Sequence, residues 1–444
     1  LWVNTNEEIR NQNLLWQNQL RETGSATFIY VTDVVGLEVT VPSRTFHSSW
    51  SDFDQDGDMD LFENNFRSQN RLMKNMLVET GSATFIDNTA SASLPGENLG
   101  YPRTSFGSAV ADFNGDGFDD IFANFRFRSI PGDEPVESPY GNGHAIFLND
   151  GTVKLKNATS DTIKSAFPPE GGVMGFMVGD LNGDNLPEIF LGQGGPMIRQ
   201  ENQLWVTTGV LDANGFPVYQ DASDSINFPA PESNKYSNDY YPKYPYRTHG
   251  STFVDTNNDG SLEIHVANGG RAADDNSVRD PNRHFLFDWG PQNYFVVRLI
   301  GNGIDVNRDG LGARLQLTVG SMNSQEKRVL YRTVRGGNAF SAQNNIRAIH
   351  FGLGSSDFIE SLRIIWPDGK IQFYENSLQI NSFRSFAYDI LLGDINLDGA
   401  VNLLDIAPFT EILSAGGFQV EADMNQDGTT NLLDVEPFIS ALNN

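Results

Sequence analysis

Cysteine is absent from this sequence of 444 residues, and basic residues are scarce in it. Without thiols the chain can form neither a disulfide nor a Cys-ligated zinc or iron–sulfur centre, so oxygen atoms are its natural metal ligands. Only 30 Lys and Arg residues accompany 57 Asp and Glu residues, which gives a net charge of −27. Such an acidic chain is not expected to bind nucleic acid or an anionic membrane surface.

The sequence also lacks an apolar run of about 18 residues, so we expect no insertion into a membrane. Leu1 begins inside a strand-like segment, and we therefore expect that residues upstream of it, with any signal peptide, are missing from the sequence. At this length, two or three domains are expected. Glycine is plentiful, with 43 residues, which suits many short strands joined by tight turns.

The first 290 residues contain an acidic pattern, D-x-[DN]-x-D-[GN], that recurs four times. Each copy lies between two short apolar segments with strand character, and two further such segments follow. Four short strands in each repeated unit are typical of propeller blades. An identical octapeptide at 22–29 and 79–86 marks the repeat, and residues 1–4 align with the second strand of later units. The predicted fold is therefore mainly β, a propeller whose first blade is incomplete.

The acidic loops have the spacing of calcium ligands. Side-chain oxygens at positions 1, 3 and 5 point inward, position 7 offers its carbonyl, and an acid at position 9 completes the sphere. Position 6 is glycine, which lets the chain turn back, except for Asn185 in the third loop. The candidate ligands are Asp52, Asp54, Asp56, Asp58 and Asp60; Asp112, Asn114, Asp116, Phe118 and Asp120; Asp180, Asn182, Asp184, Leu186 and Glu188; and Asp255, Asn257, Asp259, Ser261 and Glu263.

A simpler interpretation is that each loop is an Asx-rich turn held by its own hydrogen bonds. Four loops in series, each with its closing acid, favour calcium instead. Without the ion, several carboxylates would face one another at a cost in free energy, so calcium is expected to stiffen each turn. Because free calcium is abundant outside cells, we expect an extracellular or cell-surface location for a secreted bacterial protein.

The succession of strand, D-x-[DN]-x-D-G-x-x-[DE] loop and strand resembles the FG-GAP/VCBS repeats of integrin-type propellers over residues 1–290. The resemblance implies a β-propeller with calcium in its blades. In an up-and-down blade the acidic loops would all lie at one end. The long insertions would lie at the opposite end: 91–104, 126–144, 160–174, 220–247 and 271–281.

The end that carries the insertions is the predicted recognition surface. One insertion is rich in tyrosine, which suits contact with protein or sugar, although these rings would equally pack over the propeller mouth. Arginines just before the first strands would rim the channel and bind a carboxylate or sulfate, or pair with neighbouring acids. The candidate partner-binding residues here are Tyr236, Tyr240, Tyr241, Tyr244, Tyr246, Arg44, Arg103 and Arg247.

Residues 291–385 form a second predicted module, made of alternating strands. The stretch N-R-D-G-L-G-A-R at 307–314, together with H-F-G-L-G at 350–354 and W-P-D-G at 366–369, resembles the ASPIC/UnbV domain. That resemblance implies a β-rich domain that commonly follows such propellers in secreted proteins. His350 is expected to be a packed residue at a strand end, because no nucleophile or acid motif accompanies it.

Residues 386–444 contain two further acidic loops, 29 residues apart, each followed by a helix-like run. Their oxygen donors have EF-hand-like spacing that ends in an acid at position 12. The pair resembles a type I dockerin, which implies two calcium sites and a cohesin partner. Counting the backbone donors at position 7, the candidate ligands are Asp394, Asn396, Asp398, Ala400, Asn402 and Asp405, with Asp423, Asn425, Asp427, Thr429, Asn431 and Asp434. Leu403, Leu404, Leu432 and Leu433 occupy the usual recognition positions, where many dockerins have hydroxyl residues, and this leaves open which partner the module takes.

The sequence thus predicts a secreted calcium-binding adhesion or scaffolding protein that binds protein or glycan through propeller loops and docks through the C-terminal module. One alternative is a subunit of an extracellular filament or surface assembly that is closed by strand exchange between chains. A polysaccharide-active enzyme is the other, although no nucleophile–base pair or acid pair stands out beside the acidic loops. We therefore expect no enzymatic activity and about six Ca²⁺ ions, four in the propeller and two in the dockerin-like module.

Overall fold

The computed structural model describes most of the chain in separate segments. The described residues are 2–4, 13–19, 23–38, 44–66, 69–92, 104–126, 144–152, 154–157, 173–193, 202–213, 215–224, 248–268, 282–287, 292–303, 305–322, 327–336, 348–375, 378–388, 392–396, 401–417, 422, 424–425 and 429–442. They form two compact units. The first joins Leu1–Arg298 to Leu311–Arg384, and the second joins Leu299–Gly310 to Ser385–Asn444.

The first unit begins with five antiparallel sheets that follow one another along the chain. A three-stranded sheet comes first: β1 (Trp2–Asn4), β2 (Asn13–Asn18) and β3 (Phe28–Tyr30). The next is β4 (Arg44–Ser51), β5 (Asp60–Phe66), β6 (Arg71–Asn75) and β7 (Phe85–Asp87), with short helices α1 (Leu77–Thr80) and α2 (Thr89–Ala92). Then come β8 (Thr104–Ala111), β9 (Asp120–Arg126), β10 (Ala145–Asn149) and β11 (Leu155–Asn157); β12 (Val173–Gly179), β13 (Glu188–Gln193), β14 (Gln203–Leu211) and β15 (Pro217–Asp221); and β16 (Thr248–Val254), β17 (Glu263–Asn268) and β18 (Arg283–Phe285).

Each of these sheets pairs its strands in chain order, as propeller blades do. The predicted alignment of residues 1–4 with a second strand agrees with the structure, because Trp2–Asn4 pairs with the strand that begins at Asn13. In the four later sheets, the acidic loop joins the first strand to the second. The mainly β fold class is thus confirmed.

The blades pack on one another because successive residues of a strand point to opposite faces. On β9, Ile121 packs against the preceding blade and Phe122 against the following one. The apolar residues at position 2 of the first two acidic loops, Phe53 and Phe113, are fully buried in the same layers. The sheet of β8–β11 therefore buries both faces, and this fixes the end of the sheet from which its acidic loop projects.

The second module supplies six strands: β19 (Asn293–Ile300), β20 (Arg314–Gly320), β21 (Lys327–Thr333), β22 (Ile349–Gly354), β23 (Phe358–Ile365) and β24 (Ile371–Glu375), with β25 (Ser382–Ala387) after them. Strands β21, β20, β23 and β24 form one antiparallel sheet in that order, and β22 pairs with β19. Trp366 is buried at the start of the turn between β23 and β24, where its indole N–H donates to Gln372 at 2.6 Å.

The second compact unit contains the two longest described helices, α3 (Ile406–Ala415) and α4 (Val435–Leu442). A single 3₁₀ turn precedes each, at Leu403–Asp405 and Leu432–Asp434. The predicted helix-like runs from Leu403 and Leu432 therefore begin with one tight turn. Phe409 and Phe438 pack as a tilted ring pair with centroids 4.2 Å apart, and both belong to the apolar core of this unit. No helix among the described residues is long and apolar enough to cross a membrane.

Candidate calcium loops and docking module

The four propeller loops share a network of hydrogen bonds to their own backbone. The carboxylate at position 5 accepts the N–H of position 7 in every loop: Asp56 from Asp58, Asp116 from Phe118, Asp184 from Leu186 and Asp259 from Ser261. In the first, second and fourth loops the carboxylate at position 1 accepts the N–H of position 6, as in Asp112 with Gly117 at 2.9 Å. These bonds preorganise the acidic side chains around the centre of the loop.

The acid at position 9 accepts backbone hydrogen bonds that hold each loop against its blade. Asp60 accepts the Phe53 N–H at 3.1 Å through Oδ2 and the Asn75 N–H at 2.9 Å through Oδ1. The bond to position 2 recurs in the other loops: Asp120 with Phe113, Glu188 with Leu181, and Glu263 with Thr256. A carboxylate has about four lone-pair sites, so these hydrogen bonds leave lone pairs with which the acid can coordinate an ion.

Several described carboxylates in the loops are buried without enough positive charge nearby, and a bound cation would supply that charge. Burial raises the pKa of Asp60 to about 8 and the pKa values of Asp52 and Asp112 to about 7, because desolvation disfavours the charged form. Moreover, Oδ1 of Asp52, Asp54, Asp58 and Asp180 is buried without a hydrogen-bond partner in the described structure. Turns held only by their own hydrogen bonds would not leave these oxygens unpaired.

Carboxylate oxygens converge within 4.8 Å of one another in the first and fourth loops, at Asp52, Asp54 and Asp56 and at Asp255, Asp259 and Glu263. These are hard oxygen donors, which suit Ca²⁺. The donor set thus fits the predicted ion. The residues that surround each ion stay a prediction from the sequence.

Lys74 contacts the first candidate calcium loop, and the sequence pattern did not indicate this contact. It lies on β6 and forms ion pairs with Asp54, Glu79 (2.7 Å) and Asp56 (3.5 Å). Burial alone would lower the pKa of Lys74, but its hydrogen bonds to Asp54 and Glu79 raise it above the ordinary value. The first loop therefore carries an ammonium group of its own beside its ligands, which partly neutralises the most acidic of the four loops.

In both C-terminal loops, the acid at position 12 accepts hydrogen bonds from backbone N–H groups of its own loop. Asp405 accepts the N–H of Ile395 and Asn396 through Oδ1 (2.7 and 2.9 Å) and that of Asn402 through Oδ2 (2.8 Å). In the second copy, Asp434 accepts from Asn425 (3.0 Å) and Asn431 (2.8 Å). Asn402 and Asn431 each cap the 3₁₀ turn through their side chains, and both acids are fully buried. The acid at position 12 thus closes each loop onto its start.

The four leucines that follow these caps are exposed. Leu403, Leu404, Leu432 and Leu433 expose 76%, 67%, 81% and 68% of their surface. Large apolar side chains at such exposure are costly to keep in water and are typical of a contact surface. The two pairs occupy equivalent positions at the start of α3 and α4.

Several predicted residues lie outside the described part of the chain. These are the ligands Asp398, Ala400, Asp423 and Asp427, the five tyrosines from Tyr236 to Tyr246, and the arginines Arg103 and Arg247. Arg44 begins β4, but its side chain is not among those described. The other predicted ligands of the C-terminal loops lie within the described residues, with Asp394 buried and Asn396, Asn425 and Thr429 exposed.

His350 is a packed residue, as predicted. Its Nε2–H donates to the carbonyl of Gly260 at 2.7 Å, and its ring stacks on Tyr294 with centroids 6.3 Å apart. Burial lowers the pKa of His350, so the neutral ring is favoured. The prediction did not foresee that this contact joins the second module to the fourth propeller loop.

The fold and the loops together define a β-propeller with calcium-type loops, followed by a β-rich module and a paired-loop helical module. Family models match the chain in that order: FG-GAP-like repeat at residues 52–123, ASPIC and UnbV at 303–383, and Dockerin type I domain at 392–443. The predicted architecture is therefore confirmed. Type I dockerin domains bind calcium, which supports Ca²⁺ as a ligand of this chain, and they dock onto protein partners. FG-GAP and dockerin domains are typical of extracellular proteins.

Among curated proteins, the chain is similar to cartilage acidic protein 1. It is 24% identical to the Mus musculus protein and 25% identical to the Homo sapiens protein, over 320 residues in each case. The match covers 70% of this chain, but only 40% and 39% of those proteins. The chain thus spans less than half the length of the curated relatives that it matches.

Proposed function

We propose that this chain is a secreted calcium-binding scaffold that recognises a protein or glycan through its propeller and docks onto a second protein through its C-terminal module. The proposal includes four calcium ions in the propeller and two in the docking module, and it includes no catalytic step. The observation that carries it is the duplicated, exposed leucine surface beside two closed acidic loops. Calcium fixes each loop, and the loop fixes the caps that present the leucines.

The leucine pairs provide the test of docking. We expect the variant in which all four leucines become Asp to lose about 100-fold or more of its affinity for a cohesin module, because charged groups replace apolar side chains that the complex would bury. Replacing only Leu403 and Leu404, or only Leu432 and Leu433, should leave binding largely intact, since the other face remains. Surface plasmon resonance of the full chain over an immobilised cohesin, with calcium present, measures both effects.

Leu286→Asp is the matched control, because Leu286 is also strongly exposed (70%) but lies in the propeller. It should bind as the unaltered chain does. Full binding by the fourfold variant would contradict docking through these leucines. Failure of the unaltered chain to bind any type I cohesin would contradict the choice of partner.

An extracellular assembly is a second candidate, and one comparison within the chain favours it. Phe28 and Phe85 occupy the same place in the repeated octapeptide and both begin the last strand of a sheet. Phe85 is 8% exposed because Trp50 packs on its ring and Val35 accepts its N–H at 2.7 Å, whereas Phe28 is 49% exposed. A second chain that supplies a segment like Val35 would cover Phe28 by strand addition.

If the chain assembles in this way, Phe28→Ser will convert higher-order species into monomers without changing the melting temperature of the monomer. Phe85→Ser is the matched substitution, and it should destabilise the fold by roughly 3 kcal/mol because Phe85 is buried. Size-exclusion chromatography of the calcium-loaded chain distinguishes the outcomes. A monomer at all concentrations would contradict assembly and leave docking as the function.

A further inference from the structure

The second module touches all four calcium-type loops of the propeller. Each loop receives a different side chain from this module. The contacts are Arg314 with Asp52 (3.9 Å), Arg335 with Asp119, Arg332 with Asp180 (3.3 Å), and His350 with the carbonyl of Gly260 (2.7 Å). Three of the four are cations beside carboxylates, so the acidic end of the propeller is the surface on which this module is seated.

The third loop has the most extensive contact. Oδ2 of Asp180 accepts hydrogen bonds from Arg332 Nη2 at 3.3 Å and from the backbone N–H of Gly352 at 3.1 Å. Arg332 Nη1 also donates to the side chain of Asn185 at 3.0 Å. A Cβ atom at position 352 would lie 2.4 Å from both Asp180 Oδ2 and the Cα of Gly183, so only glycine permits this approach.

The other carboxylate oxygen of Asp180 accepts no hydrogen bond from the described residues. Asp180 exposes 4% of its side chain, and Oδ1 is buried without a hydrogen bond in the described structure. A buried carboxylate oxygen that is left unpaired costs free energy. Asp180 is also position 1 of its loop, the place from which a calcium ligand is expected. One oxygen therefore holds the second module, and the other is free for the ion.

We propose that Asp180 is shared between calcium and the second module, so that calcium in the third loop and the seating of β22 on that loop stabilise each other. This rests on the proposed binding of calcium by the propeller loops. Coupling between two binding events is reciprocal: whatever the ion contributes to the seating of the module, the seated module contributes to the affinity for the ion. The second module is then a calcium-dependent cover over the acidic end of the propeller.

The backbone N–H of Gly352 reports the coupling directly, because it donates to the shared carboxylate. Hydrogen exchange of the full chain is measured with calcium and with EDTA, below the melting temperature found in EDTA. Removal of calcium should speed exchange at Gly352 by about tenfold or more. Amides of the β20–β23 ladder, such as that of Leu317, should keep their protection, since they are held inside the module's own sheet.

Two matched substitutions separate this loop from the others. Asp184→Asn and Asp116→Asn each remove the carboxylate at position 5 of a loop. Among the described residues, neither carboxylate is hydrogen-bonded to the second module. Arg328 donates to the backbone carbonyl of Asp184 at 3.4 Å, and the substitution keeps that carbonyl. With calcium fixed at a subsaturating concentration, Asp184→Asn should speed exchange at Gly352 and Asp116→Asn should not. Equal effects of the two variants, or protection of Gly352 that is the same in EDTA and in calcium, would overturn the proposal.

Calorimetric titration of the same samples shows which idea fails. A chain that binds no calcium in its propeller contradicts the proposed function itself. If the chain binds calcium but the exchange rate at Gly352 is the same with and without calcium, only the sharing of Asp180 is contradicted.

Discussion

Removal of calcium with EDTA will lower the melting temperature of the full chain by roughly 10 °C or more. Each site that is held at about 100 times its dissociation constant contributes about 2.7 kcal/mol to the stability of the folded state. The effect is expected to be large because the folded propeller concentrates carboxylates whose charge is not balanced. In the first loop, burial raises the pKa values of Asp52 and Asp60 to about 7 and about 8, because desolvation disfavours their charged forms when no ion balances the charge.

Differential scanning calorimetry in calcium, in EDTA and after calcium is restored gives the measurement. Magnesium is the control ion, since it demands a smaller octahedral site and gives up its water reluctantly. It should recover only part of the lost stability. An unchanged melting temperature in EDTA would contradict a structural role for calcium in these loops.

The substitution Gly260→Ala will destabilise the chain by roughly 3 kcal/mol or more, whereas Gly57→Ala will cost about 1 kcal/mol. Both glycines occupy position 6 of an acidic loop and have positive φ, +89° and +110°. A Cβ at Gly57 meets nothing within 4 Å, so this variant reports only the strain of the left-handed backbone. A Cβ at Gly260 would lie 1.9 Å from the ring of Tyr294, which belongs to the second module.

Gly117→Ala provides an intermediate case, because a Cβ there would lie 3.0 Å from the ring of Tyr331. Urea unfolding in saturating calcium should therefore rank the three variants, with Gly260→Ala the least stable and Gly57→Ala the most stable. Equal losses at all three glycines would mean that the backbone conformation alone decides the cost. In that case the aromatic rings of the second module would not be closely packed on the loops.

The features that the sequence could predict are those with a local pattern. The four acidic loops, the strands beside them and the paired C-terminal loops each span a few neighbouring residues, and all were recognised. The position of Asp60 nine residues into its loop indicated a closing role, and the structure shows how it closes the loop, through the N–H groups of Phe53 and Asn75. The start of α3 was predicted three residues early, because the Asn402 side chain first caps a 3₁₀ turn.

The contacts that the sequence could not reveal join residues that are far apart along the chain. Arg332 lies 152 residues from Asp180, and no local pattern distinguishes it from any other arginine on a strand. Lys74 was missed for a related reason, since its ammonium group meets Asp54 only after the third strand has folded beside the loop. The sequence predicts that partners bind at the end of the propeller opposite the acidic loops. In the structure, their outer end is itself a contact surface, because the second module is seated there.

The repeated octapeptide has a consequence for reagents raised against this chain. Residues 22–29 and 79–86 are identical in sequence, and the isoleucines that end them are similarly exposed, at 46% and 49%. Their phenylalanines differ, since Phe28 is open and Phe85 is covered. An antibody whose binding site contacts the phenylalanine ring would therefore bind one copy of the octapeptide on the native monomer and both copies after denaturation. The two identical peptides are two different epitopes.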